Sequence, residues 1–347
     1  MIAGAAGLAA LGALAIAARL PREAALPSVE PGRAKGSVVR ESRALMGSMA
    51  DVSVFAIAGR EPAAAEAIRD ALDLFAAIEK RVSAWDAASE TSAVNRAAGG
   101  DFVRVSEEMR DLVAASIEWS KRTAGAFDVT GGPLFELWDA ARKSGELPSP
   151  DDVRARLALV GFSRIELVGD LLRLETPGMK LGFGAIGEGF AADRAAALLR
   201  ERGFRDFIVD ASGDLVVSGS RGGEPWDSAI RHPRRDEFVA RTRATDCAIA
   251  TSGDYERCLV LGGERYSHIL DLRTGWPARG AASVTVFART ATDADALATA
   301  LAAMGVERGL EVVARRPGVG AFFVTEGGVT RCSAGLSFDG EWLSWTR

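Results

Sequence analysis

Apolar and polar positions alternate along residues 51–58, the mark of a half-buried strand, and then change to a helical period over residues 62–80. Pro62 opens that helix, and Ile68, Leu72 and Phe75 share one face of it. The same period predicts helices over residues 106–123, over residues 188–202 with Gly203 as the stop, and over residues 293–305. Residues 163–175 read as a hairpin turning at Gly169-Asp170, and residues 207–209 and 215–217 as strands around Ser212-Gly213-Asp214. Further strands are expected at 226–231, 246–251, 257–261, 265–270 and 283–289. The tail from 319 onward continues as strands with turns at Gly327-Gly328 and Asp339-Gly340. Helices and strands interleave without regular β-α alternation, which predicts an α+β fold with mixed, largely antiparallel sheets and packed helices. No repeat of solenoid period is present.

Residues 2–18 depart from this patterning, being Ala, Gly, Leu and Ile without a charge, followed by Arg19 and a polar, Pro-containing stretch to about residue 40. The run is short for a span of roughly 20 residues and reads as a targeting segment resembling the apolar region of a signal peptide. No basic residue precedes it, whereas Arg19 and Arg22 follow. It is similar to the part of a twin-arginine signal beyond its arginines; an uncleaved anchor in the opposite orientation is the other reading. The expected organisation is a targeting segment and spacer over 1–40, one domain over 41–347, and a periplasmic or exported location with membrane proximity.

With 347 residues, 48% of them hydrophobic and 26% charged, the chain can bury a substantial core. A net charge of -5 leaves no footprint for nucleic acid. Cys247, Cys258 and Cys332 lie far apart without metal-ligand spacing, and two histidines, His232 and His268, are too few for a zinc site built on several imidazoles.

Two segments carry candidate chemistry. In the helix over 293–305, Asp295 and Thr299 stand four apart and project from one face, while Leu297, Leu301 and Met304 turn toward a core. Carboxylate and hydroxyl oxygens at that spacing suit Mg2+, which takes few protein ligands and completes its shell with water and phosphate. The segment also reads as an ordinary capped helix, with Thr292 as cap and Asp293 and Asp295 meeting the macrodipole. The second segment, Gly182-Phe183-Gly184-Ala185-Ile186-Gly187, is a literal G-x-G-x-x-G followed by a helix and by Asp210 at the end of the next strand. A dinucleotide unit also needs a buried strand before the turn, and Pro177-Gly178 leaves only residues 179–181 for it.

Several motifs fall into one order that resembles the ApbE family of flavin transferases. They are Leu45-Met46-Gly47-Ser48, then Gly125-Ala126-Phe127-Asp128-Val129-Thr130 with Gly132-Pro133-Leu134 and Leu137-Trp138, then the glycine turn through Glu188-Gly189-Phe190-Ala191-Ala192-Asp193. Ser212-Gly213-Asp214, Thr251-Ser252-Gly253-Asp254-Tyr255, and Ser267-His268-Ile269-Leu270-Asp271 with Arg273-Thr274-Gly275 follow, and Ser283-Val284-Thr285-Val286 precedes residues 295–299. The resemblance covers residues 41–335 and implies an ApbE-like architecture related to the T-fold.

It implies transfer of FMN from FAD to a threonine of an acceptor flavoprotein, an electron-transfer subunit, with release of AMP. FAD pyrophosphatase activity and non-catalytic FAD binding are the alternatives. The chain has no Ser/Thr-Gly-Ala-Thr segment of the modified kind, so the acceptor is another protein. Met46, Trp85 and the Ala126, Phe127, Asp128 segment would line the flavin and its adenine, with Trp85 and Phe127 as stacking rings. Leu270 would contact FAD by backbone and packing, and Glu188 would lie near its ribose or phosphates. The metal, Mg2+, would take oxygens from Ala185, Asp295, Ala298 and Thr299. His268 is the expected base or phosphate ligand, with Asp271 as its orienting carboxylate. Gly182 stands where the family commonly has an aspartate that contacts the flavin, Leu272 replaces a usual proline, and Ser48 a common threonine.

Overall fold

The computed structural model describes residues 35–346. Its frame is an eight-stranded sheet in the order Gly36–Leu45, Ser48–Ile57, Phe207–Ala211, Asp214–Ser218, Cys247–Gly253, Ala281–Ala288, Gly320–Thr325 and Thr330–Cys332. Every ladder in this sheet is antiparallel.

Each face of the sheet builds its own core, because successive side chains of a strand point to opposite faces. Val216, Ala248, Val284, Val286 and Phe323 turn to the main core, where the helices Glu61–Val82, Gly187–Glu201 and Ala291–Met304 bury Ile68, Leu72, Phe75, Leu199, Leu297 and Leu301. Their neighbours Val217, Ile249, Phe287, Phe322 and Val324 turn the other way, onto Trp226, Ile230, Leu336 and Leu343. These last residues belong to a four-stranded sheet made of Trp226–Arg231, Phe238–Ala244, Leu336–Phe338 and Trp342–Trp345. Covered on both sides, all eight residues of Ala281–Ala288 are buried. A third cluster, with Leu134, Trp138, Val153, Leu270 and Leu272, joins the helices Gly132–Ser144 and Pro150–Leu157 to the segment that carries His268.

The α+β expectation matches this architecture, and most expected elements lie within a few residues of those observed. The first strand begins at Gly36, ahead of the expected boundary at residue 41, so the polar spacer is shorter than its composition suggests. Its partner starts at Ser48 rather than residue 51, and a two-residue turn at Met46-Gly47, with φ of 53° and 79°, joins them. The helix expected at 293 starts at Ala291, and its cap is Thr290, not Thr292: the Thr290 hydroxyl accepts from the Asp293 N–H. The dinucleotide-fold reading of the glycine turn falls away. The residues before the helix Gly187–Glu201 form no strand, and the next strand, Phe207–Ala211, pairs antiparallel with both neighbours, so no parallel crossover unit exists there. Among the described residues no helix is long and apolar enough to cross a membrane, and the apolar run at 2–18 lies outside them.

Candidate active site

The site is built where two small-residue helices touch. Gly189 lies in the first turn of Gly187–Glu201 and packs against the start of Ala291–Met304 so closely that an added Cβ would stand 2.3 Å from the Ala291 carbonyl oxygen. At this contact each helix supplies a carboxylate to the other's N-terminus. Asp295 Oδ2 accepts from the Gly189 N–H at 3.2 Å. Asp193 accepts from the Ala291 and Thr292 N–H groups at 2.9 and 2.8 Å and from the Thr292 hydroxyl at 2.6 Å. Each such carboxylate satisfies orphan donors and meets the positive end of a helix dipole, together about 1 kcal/mol per helix.

Asp295 is 6% exposed and hydrogen-bonds Asp214, itself buried as the first residue of the strand that follows the Ser212-Gly213 turn. Glu188, half-buried in the same first turn, completes the group. Burial pushes all three carboxyls above their ordinary range, and for Glu188 and Asp214 the charge of Asp295 pushes in the same direction. Burial also raises Asp210, whose Oδ1 accepts from Gly213 N at 2.7 Å and so closes the turn. Opposite this group Thr299 projects toward strand Cys247–Gly253, with its hydroxyl oxygen 3.1 Å from that of Ser252. Among the described residues no group of three or more Asp, Glu, His or Cys side chains could hold a metal ion, and the oxygens that converge here are those of Asp295, Asp214 and Glu188 with the Thr299 and Ser252 hydroxyls.

Around this centre the other expected residues divide. The Met46 Sδ-methyl reaches the same helix start, its Cε lying 3.6 Å from a Cβ built on Gly187, and it lines a crevice shared with Glu188, Phe75 and Ser212. Trp85 is 78% exposed on the loop after Glu61–Val82, an open ring face. Phe127 differs from expectation: it is 2% exposed within the main core, so its ring presents no face for stacking. Asp128 is spent structurally. Its Oδ1 accepts from the Thr130 N–H at 2.8 Å and hydroxyl at 2.7 Å, and its Oδ2 accepts from Phe162 N at 2.8 Å, so the segment from buried Ala126 onward can meet a ligand only through its backbone. Leu270 is buried in the third cluster. Gly182 donates to the Val129 carbonyl at 2.8 Å, and a Cβ there would meet nothing within 4 Å.

His268 is held by its backbone N–H, which donates to the Arg257 carbonyl at 2.9 Å, while its Nδ1 is buried with no hydrogen-bond partner among the described residues. Burial first, and then the guanidinium groups of Arg257 and Arg142, hold its pKa down at about 4, with Asp254 opposing weakly. Asp271 does not orient it. That carboxylate is taken by Arg273, at 2.8 Å to each oxygen. His232, by contrast, is a satisfied structural residue whose Nδ1 accepts from the Arg234 and Arg235 N–H groups at 3.0 and 3.1 Å.

Asp193 and Asp214 are the site residues that sequence reasoning left without a role, although both stand in motifs quoted for the resemblance. A usable signal existed for Asp193, which lies four residues beyond Gly189 and therefore on the same helix face.

Fold and cleft together define an α+β protein whose acidic, oxygen-lined site opens at one end of an antiparallel sheet. The chain belongs to the ApbE family, whose sequence profile matches residues 46–323. It is 30% identical over 328 residues to the FAD:protein FMN transferase of Treponema pallidum, covering 88% of this chain and 89% of that one. It is 33% identical over 294 residues to the enzyme of the same name from Klebsiella pneumoniae, covering 82% and 83%. Among solved structures it resembles the ApbE protein of Thermotoga maritima, with a TM-score of 0.78 at 31% identity over 86% of this chain and 97% of that one. It likewise resembles the flavin transferase ApbE of Vibrio cholerae, with a TM-score of 0.76 at 30% identity over 86% and 98%.

Proposed function

We propose that this protein takes FMN from FAD and attaches it to a threonine hydroxyl of an acceptor flavoprotein in an electron-transfer complex, releasing AMP. The observation that carries the reading is the convergence of Asp295, Asp214 and Glu188 on the glycine turn, next to Thr299. Mg2+ bound through Asp295, Thr299 and the main-chain oxygens of Ala185 and Ala298 would neutralise diphosphate charge and make AMP a better leaving group. The glycine turn brings bare backbone and a helix N-terminus to the diphosphate. Met46 and the exposed Trp85 supply apolar surface for the rings of FAD. His268, neutral at physiological pH, takes the proton from the attacking threonine oxygen as that oxygen bonds to the FMN-side phosphorus and AMP departs. The apolar run at 2–18 supports action outside the cytoplasm, close to a membrane.

Incubation with FAD, Mg2+ and an acceptor peptide carrying a Thr in a Ser/Thr-Gly-Ala-Thr segment tests the reading. A peptide gaining the mass of FMN, with AMP released in equal amount, is the expected result; free FMN alone would replace transfer by hydrolysis.

Two further outcomes are expected. Because burial, Arg257 and Arg142 depress His268 in the free protein, the acid limb of kcat/KM lies near pH 4 and not near 6.5. Lowering the pH from 8 to 6 therefore protonates little of it. The limb of kcat moves upward, since a bound diphosphate offsets the two guanidinium charges. A kcat/KM limb at pH 6.5 that survives in His268→Gln would remove the assignment. Gly182→Asp is expected to tighten FAD binding by about tenfold, the scale of one hydrogen bond to a charged group. Its Cβ enters open space, so thermal stability stays level or rises slightly. Titration of FAD by fluorescence quenching reads the effect, and unchanged affinity would show that Gly182 faces no part of the ligand.

A further inference from the structure

At the end of the eight-stranded sheet away from the carboxylate cluster lies a hollow of about 460 Å³, floored by strand residues 216–218, Gly219 and Cys247. Strand Asp214–Ser218 and helix Gly187–Glu201 both run from the cluster to this hollow, which puts the two roughly 15 Å apart. Three arginines from three separate elements form its wall: Arg200 in the last turn of that helix, Arg205 in the following loop, and Arg289 just beyond strand Ala281–Ala288. None of the three makes an ion pair among the described residues, and Arg200 rests instead on the Phe207 ring, 5.2 Å from its centroid. The one carboxylate in the lining, Asp246, sits at φ 48° with its Oδ1 accepting from Gly219 N at 2.9 Å.

An ordinary surface intersperses the two signs of charge, and in this chain most arginines on the faces of helices and strands meet a carboxylate. Here three guanidinium groups share one concavity with a single, already engaged carboxylate. An anion entering the hollow would meet guanidinium groups that no carboxylate already occupies. The fork of each guanidinium matches two oxygens of a phosphate group. At the Gly219 end of the hollow the Asp206 carboxylate fills the space a Cβ would take, with its Oδ1 accepting from Ser220 N at 2.8 Å, so the ligand is held on the arginine side. The volume exceeds that of an inorganic ion and admits a phosphate with an organic group attached. We infer that this hollow is a second binding site, separate from the flavin cleft, for a phosphate group carried by a small ester such as a nucleoside monophosphate or by a phospholipid headgroup.

The test uses the full chain and its double variant Arg205→Ala/Arg289→Ala. Inorganic phosphate and glycerol phosphate are titrated by calorimetry at low ionic strength, where screening is weak, and sedimentation with vesicles containing phosphatidylglycerol is compared with neutral vesicles. The expected result is saturable binding of phosphate and glycerol phosphate, or retention on the anionic vesicles, weakened at least tenfold in the double variant and unaffected by Asp295→Asn. FMN transfer by the double variant stays unchanged, since neither arginine belongs to the flavin cleft, so this result is independent of the proposed activity. Binding that is absent in every arm, or that survives loss of both arginines, overturns the site. Soluble ligand without vesicle retention assigns the phosphate to a small ester, and the reverse assigns it to lipid.

Discussion

Asp295→Asn is expected to lower turnover by at least about a hundredfold, the scale of removing one preorganised electrostatic group, and to make the metal-free protein more stable. The two effects have one cause. Asp295 is buried, hydrogen-bonded to Asp214 and close to Glu188, and burial pushes its carboxyl well above the ordinary range. A carboxyl whose folded pKa is raised contributes full stability below its unfolded value, near 4, and loses it as pH climbs through the folded value. Asparagine removes that loss while keeping an oxygen to accept the Gly189 N–H. A gain of about 1–2 kcal/mol at pH 8, shrinking toward pH 5, follows from removing one of several like charges in a shared site. Alanine at this position is a poorer test, for it leaves the Gly189 N–H and Asp214 without a partner and opens a gap between the helices. Urea denaturation at the two pH values, alongside FMN transfer to an acceptor peptide, reads both effects. An asparagine variant with full turnover would remove Asp295 from the chemistry.

The trade between function and stability at Asp295 also explains which parts of the site were legible in the sequence. Elements whose period is enforced by burial on one face, such as the helices carrying Phe75 and Leu199, stand out from apolar spacing alone. Helix Ala291–Met304 was found despite being buried nearly all round, because its acidic start and four-residue Asp295–Thr299 step remain visible. The helices Glu90–Arg96, Gly132–Ser144 and Pro150–Leu157 were missed, since each carries only a few buried positions and is fixed by tertiary packing, as Trp138 is by its bond to the Gly275 carbonyl at 2.9 Å. Strand Gly36–Leu45 was hidden for a related reason: as a sheet edge it is largely exposed and reads as polar spacer.

Pairings between distant residues were the least legible. Phe127 looked like a stacking ring because an aromatic in a Gly-rich motif carries no mark of burial, and Asp128 looked like a ligand because the two groups that donate to it, at Thr130 and Phe162, are chosen by the fold. Asp193 and Asp295 read as unrelated acids about a hundred residues apart, yet each caps the other's helix. Such reciprocity needs the two helices to approach closely, and one glycine decides whether they can.

Gly189→Ala is expected to destabilise the protein by about 3 kcal/mol or more, although alanine is favoured over glycine in a helix by about 1 kcal/mol. The added methyl would lie 2.3 Å from the Ala291 carbonyl oxygen, 2.6 Å from its carbon and 2.9 Å from Asp295 Cβ. Two of these atoms are backbone, and Asp295 Cβ is fixed to it, so no side-chain rotation relieves the overlap. The helices must separate, and separation stretches the Asp193 bonds to Ala291 and Thr292 together with the Asp295 bond to Gly189. A loss of this size lowers Tm by about 4–5 °C in a chain of this length, and turnover falls with it because Asp295 moves relative to Glu188. Gly184→Ala supplies the contrast within the same glycine turn, for its Cβ meets nothing within 4 Å and its Tm stays near that of the parent. If both variants melted together with the parent, the close approach of the two helices would not be what places Asp295, and its position would have to come from the Asp214 strand alone.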